Sequence, residues 1–153
     1  MKNKLIATIL FSALILCTLA LSAVTLALTA PDWSVTLTAA TGIYTNNLTV
    51  FGSSPLATPN WNIAYDTTAL PNPPTGINSW FLFPSNPAAD TLLYTSIMPT
   101  SSGATWDYQL QTSGGVSGTT TISWSTTSVV PSGFTVYLMD TTGTTILANM
   151  RTT

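Results

Sequence analysis

A chain that moves protons near neutral pH needs a histidine or a tuned carboxylate. This chain has no His and no Glu, and its five acids are Asp32, Asp66, Asp90, Asp107 and Asp140, scattered along the sequence. Asp107 falls on the outward face of its strand pattern and is expected to be solvated. Asp66 and Asp140 adjoin turns, where aspartate commonly accepts from backbone N–H groups. Calcium binding needs clustered oxygen ligands, and no DxDxDG loop is present. Serines are plentiful, yet there is no GxSxG elbow and no histidine to activate a serine. The expectation is therefore a chain that is not an enzyme and carries no metal or cofactor. The single cysteine, Cys17, rules out a disulfide framework within the chain. Leu16 before it is too bulky for the small residue that precedes a lipid-modified cysteine.

Binding chemistry leaves more to weigh. The five tryptophans, Trp33, Trp61, Trp80, Trp106 and Trp124, offer flat faces on which a sugar ring stacks; the bland alternative is core packing. Trp33, Trp106 and Trp124 share the inward parity of their strands, which favours the core. Trp80, Phe81 and Phe83 crowd one short stretch beside a proline-rich loop and cannot all point inward. They are the expected exposed contact surface, and a partner subunit fits there better than carbohydrate. Asn47-Leu48-Thr49 is a sequon placed at a turn, so Asn47 is a candidate glycan carrier. Arg151, the only cation after the leader, is a candidate partner for one of the aspartates.

Composition sets the setting. The 153 residues suffice for one domain with a real core, and only 5% are charged, for a net charge of −2. Thr, Ser and Asn do the work that charges usually do. A surface of that kind repels its copies weakly and tolerates close packing, or is masked by sugar. Nucleic acid is excluded as a partner because almost nothing cationic faces its phosphates. Disorder is excluded by 45% hydrophobic and 10% aromatic residues.

Lys2 and Lys4 head a segment, Leu5 to Ala30, with no charge at all. It reads as a signal peptide over residues 1–22, cleaved after Ala20-Leu21-Ser22 to leave Ala23 first. The alternative is an uncleaved transmembrane helix over residues 5–30, since ~20 apolar residues span a bilayer. Both place the chain beyond Pro31 outside the cell, with the membrane touched only by this segment. In residues 23–31, Val24, Leu26 and Leu28 alternate with Thr25, Ala27 and Thr29. This is either leader tail or a strand ahead of the domain, able to pair with another copy.

The elements that position these residues read as strands throughout residues 32–153. Trp33 to Thr41 alternates cleanly. Leu48–Phe51, Trp61–Tyr65, Ser79–Phe83, Leu92–Met98 and Trp106–Gln111 come next, separated by Gly, Asn and Pro. The last third carries Ile122 and Trp124, then Phe134, Val136 and Leu138, then Ile146, Ala148 and Met150, at period two. These three read as a meander. Strand-like runs at this spacing predict a sandwich or barrel.

Several residues together resemble a known family. They are Trp33 with its alternating strand, Leu48-Thr49-Val50-Phe51-Gly52, Asp66, Pro71 to Pro74, Trp106, Ile122-Ser123-Trp124, and Phe134 to Asp140 closing on Asn149-Met150-Arg151. The pattern resembles the immunoglobulin-like β-sandwich domains of exported bacterial and archaeal surface proteins. The resemblance spans Trp33 to Arg151 and implies an all-β, antiparallel immunoglobulin-like sandwich of ~7–9 strands, extracellular placement and no catalysis. Those domains carry a further strand after the Met-Arg pair, and the chain stops at Thr153. A sandwich one strand short leaves an open edge, which Val24, Leu26 and Leu28 of a neighbouring copy would fill. An incompletely represented gene is the dull explanation of the same ending. The expected role is a structural subunit of an extracellular filament or cell-surface layer whose partners are copies of itself, with other surface proteins or glycans as further partners. The alternative is an adhesive or carbohydrate-binding module anchored by its N-terminal helix.

Overall fold

The computed structural model describes residues 31–83, 92–100 and 103–152. Strand β1, Trp33–Thr41, sets the pattern for the rest: every odd residue from Trp33 to Thr41 is buried and every even one is half-exposed. Two residues, Gly42 and Ile43, turn the chain so that Thr41 faces Tyr44. Gly42 takes φ 58°, a conformation costly for a side chain with a Cβ. The chain returns antiparallel as β2, Tyr44–Ser53. A bulge shifts the register between Leu37 and Ala39, so that Thr49 faces Leu37 while Asn46 faces Ala39. Asn47 and Leu48 fall on the bulged strand and are exposed.

After β2 the chain leaves the sheet. The expected strand at Trp61–Tyr65 is instead a turn, in which the amides of Tyr65 and Asp66 donate to the carbonyl of Asn62. Side-chain bonds that capture local amides compete with a strand ladder. Here the Asn62 carboxamide accepts from Ala64 N–H and the Asp66 carboxylate accepts from Asn62 N–H. Strand β3, Thr67–Thr68, comes next, then β4, Gly76–Leu82, and β5, Leu92–Met98. Strand β5 pairs antiparallel with β3 and β4 but parallel with β2. The sheet is therefore mixed, which corrects the expectation of purely antiparallel pairing. The crossover from Ser54 onward permits this: its Ala57 and Tyr65 pack on Ile97 of β5 in a second small core.

Strand β6, Asp107–Ser113, pairs with β4 along its whole length. Strand β7, Thr121–Trp124, pairs with residues 37–40 of β1. The order across the large sheet is β6-β4-β5-β2-β1-β7, with β3 on β5. The last pair, β8 (Tyr137–Met139) and β9 (Ile146–Asn149), forms a separate two-stranded sheet. The meander expected of the last third is thus corrected: β7 joins β1, and a 3₁₀ turn at Thr127–Val129 carries the chain away to the hairpin.

The large sheet curls. Strands β2 and β4 are not neighbours in its ladder, yet the Phe51 and Phe81 rings meet edge to face at 6.2 Å. Trp33 meets Trp106 at 6.4 Å, and Phe51 meets Trp106 at 5.1 Å. Val35, Leu37, Leu93, Val130 and Met150 complete this core, with Phe134, Val136 and Leu138 of the C-terminal segment packed over it. Beside the rings runs a buried polar seam. Asn46 donates to the Asn78 side-chain oxygen Oδ1 at 2.9 Å, and Tyr94 donates to the same oxygen at 3.0 Å. The Thr49 and Ser79 hydroxyls meet at 2.5 Å, and Ser79 donates to Asn46 at 3.1 Å. Satisfied polar networks of this kind fix one register of packing where an all-apolar interior would allow several.

Candidate assembly surface

Strand β4 settles the position of the aromatic run. It lies inside the sheet, and the side chains on both its faces are covered. Phe81 packs on Phe51 and Tyr108, while Asn78, on the other parity, is held by Asn46 and Tyr94. Trp80, Phe81 and Phe83 are only 8%, 2% and 8% exposed. The exposed contact surface expected there is not one: β4 is covered on both faces, so side chains of either parity are buried. Trp33 is buried, and Trp61, Trp106 and Trp124 pack half-buried against the core.

The exposed apolar residues lie elsewhere. The inner face of the β8–β9 hairpin gives Leu138 to the core, while Tyr137, Met139, Ile146 and Leu147 are 47%, 40%, 54% and 61% exposed. Met139 faces Ile146 directly across the pair, and the register shifts between Leu138 and Met139. The result is an apolar outer face on a small sheet whose other face is already anchored.

The ends of the large sheet are the second feature. Strands β6 and β7 terminate its order, and among the described residues no strand pairs with the outer edge of either. Strand β7 covers only residues 37–40 of β1. Strand β6 is seven residues long, and its single charge is Asp107, at one end. Tyr108 and Leu110 face Phe81 and Ser79 across the ladder and share their core-side parity. Leu110 is nevertheless 37% exposed, so this edge leaves an apolar side chain of core-side parity partly uncovered. Burial pushes the Tyr108 phenol up, with Ser79 pulling the other way. Its hydroxyl lies toward Ser79 without a hydrogen bond of ordinary geometry.

The charged groups hold loops. Asp66 accepts from Asn62 N–H at 2.8 Å and Ile97 N–H at 3.0 Å, tying the crossover to β5. Burial raises its pKa above the ordinary value, and those two bonds pull it back. Asp140 accepts from the Thr142 hydroxyl and from the amides of Thr144 and Thr145. The Thr142 hydroxyl and then the Thr145 amide hold it down to about 2. Both aspartates thus do what acids beside turns are expected to do. Arg151 does not pair with an aspartate among the described residues. Its guanidinium donates instead to the carbonyls of Val130 and Pro131, pinning the turn after Thr127–Val129. A shallow depression of about 200 Å³ beside it is lined by Trp124, Ser125, Thr126, Thr127, Met150 and Arg151. Among the described residues no three His, Cys, Asp or Glu side chains gather where a metal could sit.

Asn47 is exposed, but on the bulge of β2 rather than in a turn as expected. Thr49, the third residue of the sequon, is fully buried and bonded to Ser79. Val24, Leu26 and Leu28 lie outside the described residues, as do the leader and Asp90. No helix among the described residues is long and apolar enough to cross a membrane. No family model matches the chain, and no match was found among curated proteins or solved structures.

Proposed function

We propose that this chain is an exported structural subunit that assembles with copies of itself outside the cell, as a filament or surface layer. The observation that carries the reading is its periphery. Two sheet edges lack strand partners among the described residues, and the outer face of the β8–β9 hairpin is apolar. Among the described residues the charges able to keep copies apart are few: Asp32, Asp107, Asp140 and Arg151. Open edges and apolar faces are association surfaces unless they are blunted, and blunting is normally done with charge. The apolar leader supports export. The inward stripes of β1, β2 and β4, with the hairpin over the core, support reading the fold as a variant of the immunoglobulin-like sandwich with one parallel pairing.

The test is size-exclusion chromatography and sedimentation of the exported protein at micromolar concentration. The reading expects species far above 16.1 kDa that contain no other polypeptide. A stable monomer at every concentration contradicts it.

A further inference from the structure

We infer that the outer edge of β6 receives residues 23–29 of another copy, as an added strand that runs antiparallel to β6. The inference rests on the self-assembly reading and names its joint. The edge and the segment match in length: β6 spans seven residues, Asp107–Ser113, and Ala23 to Thr29 is seven residues of alternating pattern. They also match in parity. The core-side stripe of β6 is Tyr108, Leu110 and Thr112, and the alternating stripe of the segment is Val24, Leu26 and Leu28. A strand laid along this edge would place that apolar stripe beside Leu110, which is the side chain of core parity left open there.

Direction is set by where the chain comes in. Through the ladder, Trp33 lies level with Ser53 and so with Met98, the last residue of β5, while Asp107 lies level with Leu82 and so with Leu92, the first residue of β5. The first residues of β1 and of β6 therefore lie at opposite ends of the sheet. A segment leaving the β1 end and laid parallel on β6 would fold back on its own subunit, or exchange reciprocally with one partner. Either arrangement fills every acceptor edge and stops growth. Laid antiparallel on β6 of the next copy, it puts the donor subunit at the opposite end of the acceptor. Its own β6 edge then stays free for a third copy. Only the antiparallel arrangement propagates.

Paired cysteines separate the alternatives in the full chain carrying Cys17→Ser. Parallel pairing brings residue 28 to residue 112; antiparallel pairing brings residue 24 to residue 112. The expected result is that Val24→Cys with Thr112→Cys gives a ladder of disulfide-linked multimers on a non-reducing gel, while Leu28→Cys with Thr112→Cys does not. A second variant, Leu110→Asp, changes a side chain already partly in water and should fold. It is expected to reduce multimer yield at least tenfold at equal concentration. Cross-linking through residue 28, confinement of every disulfide within one chain, or multimers of Leu110→Asp at parental yield overturns this joint while leaving self-assembly standing. A parental chain that forms no multimer removes the self-assembly reading itself, and the joint with it.

Discussion

Asp66 shows how a carboxylate can be prominent in a sequence without being catalytic. It is 6% exposed and accepts two backbone amides that come from different elements. Asp66→Ala leaves both amides unpaired and is expected to cost about 2–4 kcal/mol of stability. Asp66→Asn keeps one acceptor oxygen and should cost about half as much. Urea denaturation at pH 7 checks both. The two perturbed aspartates also respond to acid in opposite senses. Asp66 is raised in the folded state, so its own contribution is fully present below the unfolded value of 3.8 and is lost as pH rises through the folded value. Asp140 is lowered to about 2, so its contribution is present above the unfolded value of 3.8 and disappears as pH falls toward 2. Carboxyl carbon chemical shifts should titrate Asp140 near 2 and Asp66 above 3.8. The reverse order would contradict the hydrogen bonding described for both loops.

At the scale of elements, two strands carry sharp expectations. Gly52 of β2 is buried, and a Cβ there would fall against the Trp33 carbonyl oxygen and within 2.9 Å of the Ser34 Cα. Both obstacles are backbone, so neither can swing aside. Gly52→Ala should therefore force the β1–β2 pair apart, at a cost of about 1–3 kcal/mol in thermal or chemical unfolding. The hairpin asks the opposite question. Tyr137→Lys with Leu147→Lys alters two side chains that point away from the core, and the unfolding midpoint should barely move. Association should weaken nonetheless, which sedimentation can measure on the same sample. Strand β1 was legible in the sequence because one of its faces is buried and the other is not, so its alternation reports its surroundings directly. Strand β4 was not legible in this way. A strand covered on both faces has no alternation to read, and Trp80 and Phe83 therefore passed for a surface patch. Trp61–Tyr65 failed for another reason. Its strand-like composition was outcompeted by the Asn62 and Asp66 side chains, whose partners lie four residues or fewer away apart from distant Ile97.

For the molecule as a whole, local pattern announced an all-β chain, while pairing partners stayed hidden. Nothing in residues 44–53 or 92–98 marks β2 and β5 as parallel neighbours. Nor does anything mark β7 as the partner of β1 rather than of β8. Long-range pairing depends on the loops between strands and on the buried seam of Asn46, Thr49, Asn78 and Ser79, whose donors and acceptors must meet in one arrangement. The candidate surface was not legible: the aromatic run expected to form it is buried, and the open edge of β6 and the outward face of β8–β9 emerge only once the sheet order is known. Because so few charges are involved, multimers should persist at about 1 M salt, where the Debye length is about 3 Å. They should yield to urea, which solvates apolar and peptide groups alike.

The measurement that bears most directly on the central claim is electron microscopy of the exported protein as its source produces it. The account predicts elongated or sheet-like assemblies whose repeating unit is this chain alone, with an added strand beside β6 in the averaged density. Dispersed single particles the size of one domain, with the β6 edge bare, would contradict it.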